Sequence, residues 1–249
     1  MNERLKKQIF YFLIFLSPVL VFGGVYLYKF FKPTPTCFDK IRNQGELDVD
    51  CGGPCPPCEI KNLQPIIKYP VRDILYPDGS YDFYFKVFNP NEDWGLKEIV
   101  YSLIFYNEEN KIIYQTEKFK TSLNPKETKI LTFQNLKPPN FFKVEANLEI
   151  NDFNWIQTKP VNLDLISYSP KIFENNLGLT SVKFDVYNRS SFDFSNVEAI
   201  IILYDSFKQP TGLTKINFSI KSEEVKTLEV NFPFKLTGYS VEIFFQTSQ

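Results

Sequence analysis

All four cysteines of the chain lie in one short segment, Cys37 to Cys58, with the spacing C-x13-C-x3-C-x2-C. Between them run Asp39, Asn43, Glu46, Asp48 and Asp50, and Gly45 and the Gly52-Gly53 pair punctuate the loop. Three chemistries suit these residue types. In an oxidising compartment the cysteines form two disulfides, Cys37, Cys51, Cys55 and Cys58 offering three possible pairings. The interleaved oxygens add a second possibility. A hard cation such as Ca2+ takes six to eight oxygen ligands, and Asp39, Asn43, Glu46, Asp48 and Asp50 are candidate donors. In a reducing compartment the four thiolates would instead suit Zn2+, although the acids would add nothing to such a centre. A segment this short cannot bury an apolar core, so crosslinks or an ion must hold it.

Elsewhere the composition narrows the chemistry. The 249-residue chain contains no histidine, which removes the commonest general base and metal ligand. Its formal net charge is −1 and no long basic run follows the N-terminal region, so nucleic acid is not an expected partner. No glycine-rich phosphate loop follows a strand. Glu108-Glu109 and Glu223-Glu224 sit at apparent turns and read as solvated rather than as an acid/base pair. The expectation is a protein that is not an enzyme. Asn188-Arg189-Ser190 and Asn217-Phe218-Ser219 match the N-glycosylation pattern, a weak signal. Trp94, in Pro90-Asn91-Glu92-Asp93-Trp94-Gly95, is the candidate binding aromatic, being placed on an apparent loop. Trp155 is expected to pack near the junction of two modules.

The elements that position these groups begin with Ile9 to Tyr28, an uncharged run bracketed by Lys6 and Lys7 and by Lys29 and Lys32. As a helix it spans roughly 30 Å, the thickness of a hydrocarbon core. It is longer than the apolar region of a cleaved signal peptide, and Pro18 and Gly23-Gly24 are tolerable in a membrane helix. Tyr26, Tyr28, Phe30 and Phe31 suit an interfacial belt, and Arg4, Lys6 and Lys7 favour a cytoplasmic N-terminus. The expected order is a cytoplasmic tail (1–8), a transmembrane helix (9–31) and a cysteine-rich stalk loop (32–61). Beyond it come short strand-like runs separated by polar turns, rich in phenylalanine and tyrosine as strands favour. One set comprises 65–75, 81–88, 97–106, 111–119, 128–133 and 142–150. A second comprises 161–168, 180–187, 199–204, 213–220, 225–232 and 239–246. The sets align: Phe85-Lys86-Val87-Phe88-Asn89 with Phe184-Asp185-Val186-Tyr187-Asn188, and Leu103-Ile104-Phe105-Tyr106-Asn107 with Ile201-Ile202-Leu203-Tyr204-Asp205. The expected fold is all-β, two tandem antiparallel sandwiches over 62–160 and 161–249, with Asn89 and Asn188 bonding turn backbones at strand ends.

Two resemblances follow from these residues. The cysteine segment resembles an extracellular motif of bacterial and archaeal surface proteins, C-x-D-G-x-x-N-x-x-E-T-x-x-D-C-G-G-x-C-x-x-C. It matches at Cys37, Asp39, Asn43, Glu46, Asp50, Cys51, Gly52, Gly53, Cys55 and Cys58, and departs at Lys40 for Gly and Leu47 for Thr. The aligned blocks resemble the immunoglobulin-like domains with an F-x-L-Y-D motif of prokaryotic envelope proteins, the second copy more closely than the first, which ends in Asn107. The resemblances imply a surface location and immunoglobulin-like sandwiches. The expected role is that of a single-pass, membrane-anchored cell-surface protein, its C-terminal part extracytoplasmic, that binds or scaffolds. Its partner would be an envelope protein or a surface polymer. The alternative is an accessory subunit of an envelope secretion or assembly machine.

Overall fold

The computed structural model describes residues 3–31 and 34–247. It forms two compact units, Met1–Cys58 and Glu59–Gln249. The first contains α1 (Glu3–Phe31), whose apolar stretch Lys6–Phe30 is long and apolar enough to cross a membrane. Apolar side chains lie exposed along it. Pro18 lies inside the helix, and the Ser17 hydroxyl donates to the Ile14 carbonyl. Lys32 and the Phe31 side chain, expected at the outer flank, lie outside the described residues. The cysteine loop is closed by Cys37–Cys55 and Cys51–Cys58, so one of the three pairings is selected and no thiolate is left for zinc.

The second unit is built of antiparallel β-strands, with short 3-10 turns at Cys58–Asn62 and Asp152–Asn154. Its strands are β1 (Ile67–Lys68), β2 (Arg72–Leu75), β3 (Tyr81–Phe88), β4 (Trp94–Tyr106), β5 (Ile112–Gln115), β6 (Phe119–Leu123), β7 (Thr128–Leu136), β8 (Lys143–Ile150), β9 (Trp155–Gln157), β10 (Leu165–Glu174), β11 (Thr180–Asn188), β12 (Phe194–Tyr204), β13 (Pro210–Ile220), β14 (Val225–Asn231) and β15 (Ser240–Thr247). The sequence pattern finds most of these and misses three features. The 65–75 run breaks at Tyr69-Pro70-Val71 into β1 and β2, because Pro70 has no N–H to donate. The short β6 and β9 were not separable by alternation. Trp94 opens β4 instead of lying in a loop, paired across to Gln157.

Four sheets result. β1 and β2 pair with one edge of β3 and β7 with the other; β5 and β6 pair with one edge of β4, and β8 and β9 with the other. These two sheets enclose a core of Phe83, Phe85, Leu96, Ile99, Leu103, Phe105, Leu123, Leu131 and Phe133. The sheets β10-β11-β14 and β13-β12-β15 enclose a second core of Val182, Phe184, Val186, Ala199, Ile201, Leu203, Leu228, Val230 and Phe232. Successive residues of a strand point to opposite faces, so Phe83 and Phe85 fill the first core while Tyr84 points outward. In β12, Ile201 and Leu203 fill the second core while Ile200 and Ile202 point outward. Those outward residues meet. Ile74, Tyr76, Tyr84 and Ile130 pack on Ile200, Ile202 and Leu213 as a third core, a seam that joins the two sandwiches back to back.

The sandwiches lie with like ends together. Tyr76, next to the β2–β3 turn, meets Leu213 and Phe234, and Ile130, near the start of β7, meets Gln246 near the end of β15. The chain enters the unit at one of these ends, where Gln64 N donates to Asn91 Oδ1 and Asn91 Nδ2 donates to the Gln64 carbonyl. The hairpin turns β2–β3, β4–β5, β10–β11 and β12–β13 all lie at the other end.

Both tryptophans sit in the first sandwich, so their fluorescence can report on a change made in the second. We expect Ile202→Ala, at the seam, to lower the unfolding free energy by about 2–5 kcal/mol. A denaturant titration should move the tryptophan signal and the far-ultraviolet circular dichroism together. An unmoved tryptophan transition would refute coupling through the seam.

Candidate functional site

Three clusters carry the polar chemistry of the molecule. The first is the cysteine loop. Asp39 Oδ1 accepts from Ile41 N, and its Oδ2 from Thr36 N and Asn43 Nδ2; the Asn43 amide and the Thr36 N–H hold this carboxyl below its usual pKa. The Asp50 carboxylate accepts from Lys40 N at 3.0 Å. Glu46, only 4% exposed, accepts through Oε2 from Asn43 N and Asp50 N. Its Oε1 lies 3.2 Å from Cys55 Sγ, a sulfur that carries no proton because it is in a disulfide. Three of the five candidate cation donors thus serve as acceptors for the loop's own N–H groups. Asn43 Oδ1 is buried without a partner, and Asp48 pairs as an isolated bridge with Cys51. Backbone demands explain the glycines. Gly53 has φ +64 and any Cβ there would collide with the Gly45 carbonyl oxygen; a Cβ on Gly52 would stand 2.6 Å from Leu47. Lys40 adopts φ 61, so this lysine occupies a left-handed position that glycine would fill at lower cost.

The second cluster is a pair of buried asparagines. Asn89 Nδ2 donates to the carbonyls of Trp94 and Asn124, while its Oδ1 accepts from Asn91 N and Asn91 Nδ2. Asn188 does the same in the other sandwich: Nδ2 donates to Phe192 and Lys221 carbonyls, and Oδ1 accepts from Ser190 N and Ser190 Oγ. Each also has its backbone N–H on the carbonyl of a glutamate, Glu127 or Glu224, whose carboxylate accepts the N–H of Asn124 or Lys221. One amide therefore ties together three chain segments at the entry end of each sandwich. This burial also removes Asn188 as a glycan acceptor in the folded chain. Trp94 is half-buried with its carbonyl held by Asn89, and Trp155 packs on the first core, not between the sandwiches.

The third cluster lines the seam. Asp82 is buried; its Oδ1 accepts from Asn135 N at 2.7 Å and its Oδ2 from the Tyr76 hydroxyl at 2.8 Å, while that hydroxyl accepts from Leu213 N at 3.1 Å. Burial pushes the Asp82 carboxyl up, and burial next to Asp82 pushes the Tyr76 hydroxyl up. These residues floor a cleft of about 650 Å³, walled also by Gln134, Asn231 and Phe234. At the other end Gln246 Oε1 accepts from Ile130 N, and its Nε2 donates to the Ile130 carbonyl and to Glu198. Lys129, adjacent to Ile130 and so turned to the opposite face of β7, is buried within the first sandwich, its Nζ donating to Thr121 Oγ1 and the Ser122 carbonyl of β6, and burial lowers its pKa. The sequence pattern missed the seam as a whole. Its signal was the unbroken apolar run Ala199-Ile200-Ile201-Ile202-Leu203-Tyr204, the mark of a strand covered on both faces.

Comparison with protein families and with curated proteins finds no match. Among solved structures, comparison of the fold aligns the red sea bream transglutaminase (TM-score 0.26, 8% identity), covering 74% of this chain and 29% of that one. It also aligns a chaperone–tip adhesin complex of CFA/I fimbriae biogenesis (TM-score 0.21, 13% identity), covering 75% of this chain and 99% of that one.

The Asp82 shift has a defined sign. With the folded pKa above the unfolded value of about 3.9, the fold binds the extra proton, so stability is greatest below that value and falls as pH rises through the folded pKa. Asp82→Asn removes this term. Its denaturation midpoint, relative to the unaltered chain, should therefore improve between pH 3 and pH 7; a difference independent of pH would contradict the burial of a charged group. A separate test addresses the corners: Asn188→Ala orphans two carbonyls and should cost about 2–4 kcal/mol in the same titration.

Proposed function

We propose that this chain is a single-pass, membrane-anchored cell-surface protein whose β unit binds or scaffolds and does not catalyse. The observation that carries the reading is the conjunction of an exposed apolar helix with cysteines that are all in disulfides, a state that persists in oxidising compartments. Disulfides on the C-terminal side of the helix favour a cytoplasmic N-terminus and an extracytoplasmic β unit. The stalk loop, crosslinked twice, suits a segment that must endure outside the cell without a core of its own. The buried titratable groups Asp82, Tyr76 and Lys129 are each engaged by internal hydrogen bonds, which fits a structural role for them. A partner of this unit would be an envelope protein or a surface polymer.

The β unit further reads as a duplicated module. The asparagine corners at Asn89 and Asn188 share their bonding pattern, and so do the turns at Asn107 and Asp205. In each turn the first residue's N–H meets the carbonyl four residues on, Lys111 or Gln209, and its side chain accepts the N–H of that residue.

A membrane-impermeant maleimide applied to intact cells tests the topology. Without reductant the cysteines should resist labelling; after mild reduction all four should label without permeabilising the cells. Labelling that requires permeabilisation would place the loop inside and overturn the reading.

A further inference from the structure

The seam between the two sandwiches opens at its margin into a pocket of about 310 Å³. Three cations line it: Arg72 of β2, Lys86 of β3 and Lys208 of the β12–β13 turn. The register explains the first two. Arg72 stands opposite Tyr84, and Lys86 follows Tyr84 by two residues, so the three side chains share the face of the sheet that makes the seam. The Tyr84 and Tyr204 hydroxyls, bonded to each other, line the same pocket.

No carboxylate lines this pocket. Among the described residues none of its three cations forms an ion pair, although pairing is common elsewhere on the unit, as at Lys118–Glu149 and Lys126–Glu92. The ammonium of half-buried Lys86 lies 4.4 Å over the Phe244 ring, a contact that leaves its charge unneutralised. The acids of the neighbourhood are engaged elsewhere. Glu242 accepts from the Tyr204 hydroxyl at 3.1 Å, and Asp205 accepts the N–H groups of its own turn. Asp73 stands on the opposite face of β2 from Arg72.

Tyr69 and Pro70, at the break between β1 and β2, are shared with a second groove of about 410 Å³. There Lys143 and Glu145 are ion-paired at 2.6 Å and Lys68 is held by the Ala146 carbonyl, so this groove offers hydrogen-bonding groups with little free charge. A ligand that follows both grooves needs an anion at one point, an apolar face for Tyr69 (45% exposed) and neutral polar groups beyond. A sugar chain with spaced carboxylates has that pattern. Its ring C–H faces cover an aromatic side chain, its hydroxyls bond polar ones, and a guanidinium takes a carboxylate through two parallel N–H bonds. A chain charged at every unit, such as polyphosphate, does not.

We propose that this pocket binds a uronate of an acidic surface polysaccharide, its carboxylate at Arg72 and Lys86 and the neighbouring sugar over Tyr69. The proposal rests on the reading of the chain as an anchored binding protein, and it names the partner as an anionic sugar polymer.

The test titrates oligogalacturonate into the full chain, held through α1 in phosphatidylcholine nanodiscs, and follows binding by calorimetry. We expect binding that weakens about tenfold or more when the carboxylates are methyl-esterified, and as much in Arg72→Gln/Lys86→Met. Lys208→Gln, on an exposed turn clear of the seam packing, should weaken binding severalfold at an unchanged melting temperature. Lys118→Gln/Lys126→Gln, outside the pocket, should leave it intact. Absence of binding, equal binding of the methyl ester, or undiminished binding by the pocket variants would each overturn the proposal. Tighter binding of polyphosphate than of oligogalacturonate would overturn it in favour of a phosphate polymer. None of these results depends on which side of a membrane the β unit faces, a question the maleimide experiment decides separately.

Discussion

The structure depends on burying both faces of two strands. β3 and β12 each contribute one row of side chains to the core of their own sandwich and the other row to the shared seam. A sheet with only one covered face can leave the other to water. Here neither β3 nor β12 has that freedom, and the polar groups that the seam encloses must be satisfied from across it. Asp82 is met by the Tyr76 hydroxyl, which in turn takes the N–H of Leu213 on the second sandwich, and Gln246 closes on the backbone of Ile130 on the first. Each of these bonds crosses the junction or supports one that does. Apolar packing supplies the attraction and these bonds fix the register.

Closure elsewhere is local. At the entry end of each sandwich a single buried asparagine gathers a strand end and two loops, doing with one side chain what several backbone bonds would do in a regular ladder. In the cysteine loop, which is too short for a core, covalent bonds replace packing, and carboxylates replace the carbonyls that a longer strand pair would offer to N–H groups. The two devices have the same physical root: backbone donors withdrawn from water need acceptors, and where no sheet is at hand side chains must provide them.

Much of this was legible in the sequence. The helix was visible from an uncharged run, the strands from alternation and turn residues, and the corners from the repeated Val-Phe-Asn and Val-Tyr-Asn ends. The choice among disulfide pairings was not, because spacing alone leaves all three open. Trp94 was misplaced because Pro90 to Asp93 carries turn chemistry up to the very residue where β4 begins. The seam escaped because a run such as Ala199 to Tyr204 fits an ordinary buried strand; only the partner face, far off in sequence at Ile74 to Ile130, gives its outward isoleucines a reason. Leu177 and Phe207 fall between the strand-like runs, where spacing does not tell whether an apolar turn residue folds back on the core or stands in solvent, as both do.

The alignment of like ends has a mechanical corollary. The chain enters the β unit at the end marked by Asn91, and the strands of both sandwiches run toward the opposite end. A tension applied between those ends would act along the strands, across ladders whose hydrogen bonds stand perpendicular to it. Such a load is shared by many bonds at once, in shear, instead of peeling a hairpin open one rung at a time. With the seam binding the sandwiches side by side, the two would bear it in parallel, as a splint does, and not in series like links of a chain.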